Sequence, residues 1–351
     1  MMKRNRVFLI LCLLLTLAIA GFTMACNNTA DTSADTDSAV SGAQDDSYYP
    51  VTITTYNYEH EPVEITFDQA PARVVCGYQS CVEIMMALGL EDKICYAFGL
   101  DGEIAKEYAD AFAGVQYHHE RPSKEEVIAL EPDLILGWYS LFADDRFGNV
   151  DYWIDNGTNT YMWLNSSAMG DSSEHPYTVD QEMQSIMDVG KIFNKVDEAQ
   201  AIVDEMQAEM DKVSDYLTTS TNPSQAIAVL EGDGAGCDFR VYGANTIAGD
   251  MVTKLGGTLA VGAENSNDIG VENLIDADPD VIMSVWYEGG AFTKEQAVSA
   301  IMENPAYANL SAVKNHRVYA LNLSYIYCSS LHTLDGIKTF GEALYPELYN
   351  K

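Results

Sequence analysis

The chain has 351 residues, with 19 Lys and Arg against 53 Asp and Glu, a formal net charge of −34. A polyanion of this kind repels nucleic acid and anionic lipid headgroups, so neither is an expected partner. Beyond the first fifty residues the chain is long enough for two α/β lobes of about 150 residues each.

Lys3, Arg4 and Arg6 precede an apolar run from Val7 to Ala20, and Ala25-Cys26 follows. That is the order of a secretory signal ending at a small-residue cleavage site, which assigns residues 1–25 to a signal peptide. Cys26 resembles the lipid-modified cysteine of bacterial lipoproteins, with Thr23 and Met24 departing from the usual Leu and small residue. The competing reading is an uncleaved anchor, because Val7 to Ala25 approaches the roughly 20 residues of a spanning helix. Both readings put the rest of the chain outside the cytoplasm. Cleavage leaves 16 basic residues against 53 acidic, a net charge of −37. Residues 26–49 carry Asp, Ser, Thr, Ala and Gly without Lys or Arg, too polar to bury a core, and are expected to form a tether.

An N-terminal α/β lobe is expected over 50–177. Val51 to Thr55 and Val63 to Phe67 alternate around His60-Glu61-Pro62 as a β-hairpin. Arg73 to Cys76 reads as a first core strand, Gly77-Tyr78-Gln79-Ser80 as a turn with Ser80 capping a helix, and Glu83 to Leu88 as that helix. Further strands are expected at Ile94 to Ala97, Leu134 to Leu136 and Thr160 to Trp163. A linking helical segment over 178–220 follows, where apolar residues from Ile186 to Leu217 recur at three- and four-residue spacing. Asn194 to Asp197 are a candidate interruption of a helix of about 30 residues. The C-terminal lobe, 221–351, opens at Ala226 to Glu231 and continues through Asn245 to Leu255, stopped by Gly256-Gly257.

Two distant segments repeat one unit: SKEEVIALEPDLILGWY from Ser123 to Tyr139, and GVENLIDADPDVIMSVWY from Gly270 to Tyr287. In each, Pro-Asp stands seven residues after a Glu, and a Trp-Tyr pair closes. Proline ends the helix, and the run after it is apolar on both faces, as in a parallel strand covered by helices. Ligands of open α/β sheets bind beyond the strands' carboxyl ends, where both Trp-Tyr pairs fall, so a cleft between two lobes is expected. The site candidates are the aromatics at strand ends: Tyr78, Trp138, Tyr139, Trp163, Tyr242, Trp286 and Tyr287. Arg240 is the cation best placed for an anionic ligand. Core packing is the competing role for each ring.

The five cysteines after Cys26 are Cys76, Cys81, Cys95, Cys237 and Cys328, an odd number with no zinc spacing. Cys76 and Cys95 end strands expected to be neighbours; buried free thiols are the alternative. His118-His119 and His332 invite a metal reading. GDGAGC at Gly232 to Cys237 lacks the G-x-G-x-x-G spacing, and the chain contains no G-x-S-x-G, P-loop or H-E-x-x-H, so no enzyme is expected.

The signal with its cysteine, PARVV before EIMMALGLEDKI, EEVIALEPDLIL, the mid-chain helix, VYGANTIAGDMVTKLGG and ENLIDADPDVIM together resemble the periplasmic-binding family that feeds iron-chelate and cobalamin ABC importers. The resemblance covers Val51 to the C-terminus. It implies two Rossmann-like lobes with mostly parallel sheets, bridged by one long helix, and a monomer that carries a ligand and holds no resident cofactor. It also implies a permease dimer with ATPase subunits as partner, with Glu125 and Glu272 as the docking carboxylates. The implied ligand is an iron-siderophore complex, ahead of cobalamin, with haem ligation and a non-transporting surface protein as alternatives. Relatives that bind bare zinc or manganese place His and carboxylates after the core strands. Gly77-Tyr78-Gln79 and Gly137-Trp138-Tyr139 stand there in this chain, so a naked-ion site is not expected.

Overall fold

The computed structural model describes residues 48–166, 176–221, 224–234 and 236–350. The expected signal, Cys26 and the tether up to residue 47 lie outside the described residues. The described residues form one compact unit. The described part already engages the body at Tyr48 and Tyr49, whose hydroxyls donate to the carbonyls of Lys191 (2.9 Å) and Ile192 (2.8 Å).

The hairpin is present: β1 (Val51–Tyr56) and β2 (Pro62–Phe67) pair antiparallel, from Val51 opposite Phe67 to Tyr56 opposite Pro62. Five parallel strands then build the first lobe: β3 (Val74–Gly77), β4 (Ile94–Phe98), β5 (Tyr117–His118), β6 (Leu134–Gly137) and β7 (Asn159–Met162), in the order β5-β4-β3-β6-β7. The second sheet holds β8 (Ala226–Gly232), β9 (Asp238–Val241), β10 (Thr258–Leu259), β11 (Asp268–Gly270), β12 (Val281–Trp286) and β13 (Val318–Asn322). Its order is β11-β9-β8-β12-β13, with β10 beside the start of β8. Only β9 runs antiparallel to its neighbours. The loop joining β8 to β9 is too short for a crossover, so GDGAGC is a hairpin connection with no helix behind it.

Two expectations change. Ser80 does not cap the first helix, which spans Gln79–Ala87; Tyr78 holds the cap position without a side-chain bond, and Ser80 lies inside the helix. Trp163 falls just past β7 rather than within it. The linking segment breaks at the candidate interruption: it is two helices, Val179–Ile192 and Val196–Thr219, separated at Asn194, whose φ is 54°. A corner is forced there because Gly190 packs directly against Ala199, leaving no room for a Cβ, while the Lys195 N–H donates to the Gly190 carbonyl at 2.7 Å. The apolar period runs across the break because both helices bury one face, Ile186 and Val189 on the first and Met206, Met210 and Val213 on the second.

One hydrophobic core runs through both lobes and the linker, from Val74 and Cys76 through Val189 and Met206 to Val229 and Met283. Each fully buried Val, Leu, Ile, Phe or Met contributes about 1.5–3 kcal/mol, so a core shared by both lobes resists their separation. Cys76, Cys81, Cys95 and Cys328 are free thiols, and Cys76 Sγ donates to the Cys81 carbonyl at 3.1 Å.

Candidate functional site

The repeated unit has the same anatomy in both lobes. Helix Lys124–Leu130 ends in a left-handed residue, Glu131 (φ 46°), and helix Val271–Ala277 in another, Asp278 (φ 38°), each followed by Pro-Asp. Asp133 accepts from the N–H groups of Ala72 (2.7 Å) and Arg73 (2.9 Å), and Asp280 from that of Ala226 (2.9 Å). The Pro-Asp pair thus pins each helix and the strand it feeds to the start of the lobe's first strand. Glu126 is consumed locally: its carboxylate accepts from the Ser123 N–H at 2.7 Å, and the Ser123 hydroxyl accepts from the Glu126 N–H at 3.2 Å. Asn273 plays the same part for Gly270. Glu125 and Glu272 are left at the second position of equivalent helices, exposed and without an ion pair among the described residues.

A cavity of about 520 Å³ opens where strands of both sheets end. From the first lobe it is lined by Gln79, Ser80, Asp101, Glu103 and Trp138, and from the second by Tyr287, Glu288, Tyr325, Tyr327 and His332. Trp138 is the central ring. It stacks on Tyr78 (centroids 4.2 Å apart, 20° between planes), meets Tyr327 edge-on at 5.6 Å, and donates its indole N–H to Ser80 at 3.1 Å. Tyr78 stands behind it at φ 73° and ψ 153°, a region nearly reserved for glycine that costs on the order of 1–3 kcal/mol. The surroundings hold it there: its N–H donates to the Phe98 carbonyl at 2.9 Å, and its hydroxyl bonds Ser140 at 2.8 Å and accepts from Arg146 at 3.3 Å. Gly77 and Gly137, at the ends of β3 and β6, carry no Cβ because Leu141 fills that space.

A second cavity, about 250 Å³, adjoins the first through Tyr327 and Cys328 and contains Arg240 and Tyr242. Burial, with Glu231 accepting its hydrogen bond at 2.8 Å, pushes the Tyr242 phenol far up. Tyr287 and Trp138 line the main cavity, and Tyr78 backs it. Four expected rings, Tyr78 among them, line neither cavity. Tyr139 packs on Tyr58 at 6.0 Å, Trp286 is half-buried in β12 opposite Asn322, and Trp163 is fully buried.

Two ionisable groups hold the site together: Glu182, which sequence reasoning passed over, and His332, which it read only as a metal candidate and which lines the cavity. Glu182, fully buried, accepts from the Trp163 indole (2.8 Å), Asn165 (2.7 Å) and the Ser330 N–H (2.7 Å), joining the first lobe, the linker and the second lobe. Burial raises its carboxyl pKa, and those donors draw it back. His332 Nε2 lies 2.9 Å from the buried Glu83 and its Nδ1 3.0 Å from Asp335. Burial lowers its pKa, but hydrogen bonds and charge from Asp335 and Glu83 prevail and push it up to about 10. Extending the strand-end rule to β13 would have found Tyr325 and Tyr327; no sequence signal pointed to Glu182.

No group of three metal-ligating side chains occurs among the described residues, and His118 is stacked on Tyr96 at 4.0 Å. Ser329, 2% exposed in the cavity wall, has a hydroxyl with no hydrogen-bond partner among the described residues. No described helix is long and apolar enough to cross a membrane.

A cleft walled by aromatic rings at the carboxyl edges of two sheets defines a two-lobed ligand carrier. The chain belongs to the periplasmic binding protein family, whose pattern spans residues 74–324, and members of this family carry ligands rather than catalyse reactions. It is 26% identical over 200 residues to the Fe(3+)-citrate-binding protein YfmC of Bacillus subtilis, 56% of each chain. It is 24% identical over 217 residues to the ferric-anguibactin-binding protein FatB of Vibrio anguillarum, 60% of this chain and 62% of that one. The chain thus spans less than two thirds of these relatives' length. Among solved structures, a periplasmic binding protein from Veillonella parvula superposes with a TM-score of 0.78 at 28% identity, covering 86% of this chain and 93% of that one.

Proposed function

We propose that this chain is the extracytoplasmic substrate-binding lipoprotein of an ABC importer, tethered through Cys26, that captures an iron chelate of the siderophore type and hands it to a permease dimer. The observation that carries the reading is the Trp138–Tyr327 wall of the cleft, shared between the lobes and backed by Tyr78. Rings of this kind pack against the flat faces of chelating groups and lose little entropy on binding. A cavity of about 520 Å³ suits a drug-sized chelate. The two relatives named for ferric complexes support the iron reading.

The charge of the lining narrows the class. Asp101, Glu103 and Glu288 line the main cavity without Lys or Arg, and the His332 imidazolium there is already paired with Glu83 and Asp335, so the cavity favours a neutral or cationic chelate such as a ferric hydroxamate. An anionic chelate would have to reach Arg240 in the adjoining cavity. Titration of tryptophan emission with a ferric hydroxamate, ferric citrate, cyanocobalamin and haem tests this. Saturable quenching by the hydroxamate ahead of citrate is the expected order. Binding of cyanocobalamin alone would make the protein a corrinoid carrier, and no binding of any of the four would remove the reading.

A further inference from the structure

We propose that Ile128 and Ile275 form a matched pair of apolar contacts through which the carrier seats on the two halves of a dimeric membrane permease. The inference rests on the importer reading above and adds a contact surface to it.

Helices Lys124–Leu130 and Val271–Ala277 are each seven residues long, and their sequence of buried, half-buried and exposed positions is identical from end to end. The fourth residue of each, Val127 and Leu274, is fully buried and holds the helix on its sheet. The fifth residue of each points the other way: Ile128 is 43% exposed and Ile275 41%. Among the described residues only five large apolar side chains are exposed. Tyr287 and Tyr327 line the cleft, and Tyr152 lies under the Lys124 ammonium at 3.7 Å from its ring centre. The two isoleucines are the pair that neither the cleft nor a neighbouring side chain accounts for.

A single exposed isoleucine is ordinary on a protein surface. Two at the same register of a repeated unit, each three residues after an exposed glutamate and so on the same helix face, form a repeated device. The tight turn after each helix reverses the chain into its strand, which sets the glutamate end toward the strands' carboxyl edges, the cleft side. The Asp133 and Asp280 bonds to the first strands fix both helices rigidly to their lobes. Duplicated acid-plus-apolar knobs fit a partner with two equivalent sites, each pairing a cation with an apolar socket. A permease dimer has that symmetry, and the mature carrier's net charge of −37 complements a cationic surface.

The glutamates then act chiefly on encounter and orientation, and the isoleucines on residence time. The test uses the permease–ATPase complex of the same organism in nanodiscs, with association and dissociation rates read at several salt concentrations. Ile128→Ser and Ile275→Ser are each expected to raise the dissociation rate about tenfold, by similar amounts and independently of salt, with the leucine replacements restoring it. Glu125→Gln with Glu272→Gln is expected to slow association and flatten its salt dependence. Ligand affinity and melting temperature should stay unchanged in the isoleucine variants. Wild-type dissociation in the double serine variant, while the glutamine pair is impaired, would overturn the apolar contact and leave the docking glutamates standing. An effect confined to one isoleucine would overturn the two-fold arrangement. Normal rates in all variants would remove this face from docking while leaving the ligand titration to judge the carrier reading separately.

Discussion

His332 Nε2 lies 2.9 Å from Glu83 Oε2, tying the short turn Ser330–His332 of one lobe to the first helix of the other at the cleft. The contact is an ion pair only while the imidazole is protonated, and its folded pKa is pushed up to about 10 against an ordinary value of 6.5. A group raised in this way contributes its full stability below the unfolded pKa and loses it as pH rises toward the folded value. The ligand-free protein should therefore melt progressively lower from about pH 6.5 to pH 10. His332→Gln should remove that part of the slope and destabilise by about 3 kcal/mol at neutral pH, since Glu83 is left buried without its cation. Identical pH profiles for the two proteins would show that the pair contributes nothing.

Trp138 lines the cleft and Trp286 does not, so the two should separate in a binding assay. Trp138→Ala is expected to weaken chelate binding by about 1–3 kcal/mol and to abolish most ligand-induced quenching. Trp286→Ala should change affinity by less than about 0.5 kcal/mol. The reverse ranking would move the site toward β12.

Glu182, in the linker, gathers three buried donors from two parts of the chain, Trp163 and Asn165 in the first lobe and Ser330 in the second. Removing it in Glu182→Ala leaves the Trp163 indole, Asn165 and the Ser330 N–H without their acceptor, and each such donor costs about 1–3 kcal/mol. Urea unfolding should show a loss of about 3 kcal/mol or more at an unchanged slope, with Glu182→Gln losing less because one amide oxygen still accepts. An unchanged midpoint for the alanine variant would discard this role.

Arg240 is exposed, lines the smaller cavity and makes no ion pair among the described residues. Arg240→Ala should weaken ferric citrate binding by about 1.5–3 kcal/mol and leave a neutral ferric hydroxamate almost unaffected, as a charge-assisted hydrogen bond would. Equal losses for both chelates, measured by calorimetry, would point to a structural role instead.

The duplicated unit was legible because its signals are local. Proline at Pro132 and Pro279 stops a helix, an apolar run of four or more residues makes a covered strand, and the rings of Trp138 and Trp286 mark strand ends by position alone. The misreadings share one cause. Ser80 has the residue type of a cap, but its hydroxyl is recruited by Trp138 from 58 positions away. Trp163 sits at a strand end like Trp138, but Glu182 from the linker helix reaches its indole and the ring turns inward. The corner in the linking segment was readable from Asn194 to Asp197 and not from the apolar period over Ile186 to Leu217, which runs on because both helices face the same core.

Sequence alone determined the two-lobe architecture, the parallel strands and the equivalence of Glu125 and Glu272, since each follows from spacing and chain-local chemistry within one unit. Tertiary structure decided which rings share the cleft, that the cavity wall is acidic while Arg240 stands aside, and that Glu182 and the Glu83–His332 pair hold the lobes together. Those depend on contacts between residues far apart in the chain, such as Ser330 and Glu182, separated by 148 positions. Neither periodicity nor residue type carries information about partners at that distance; only the packed fold brings them within reach of a hydrogen bond.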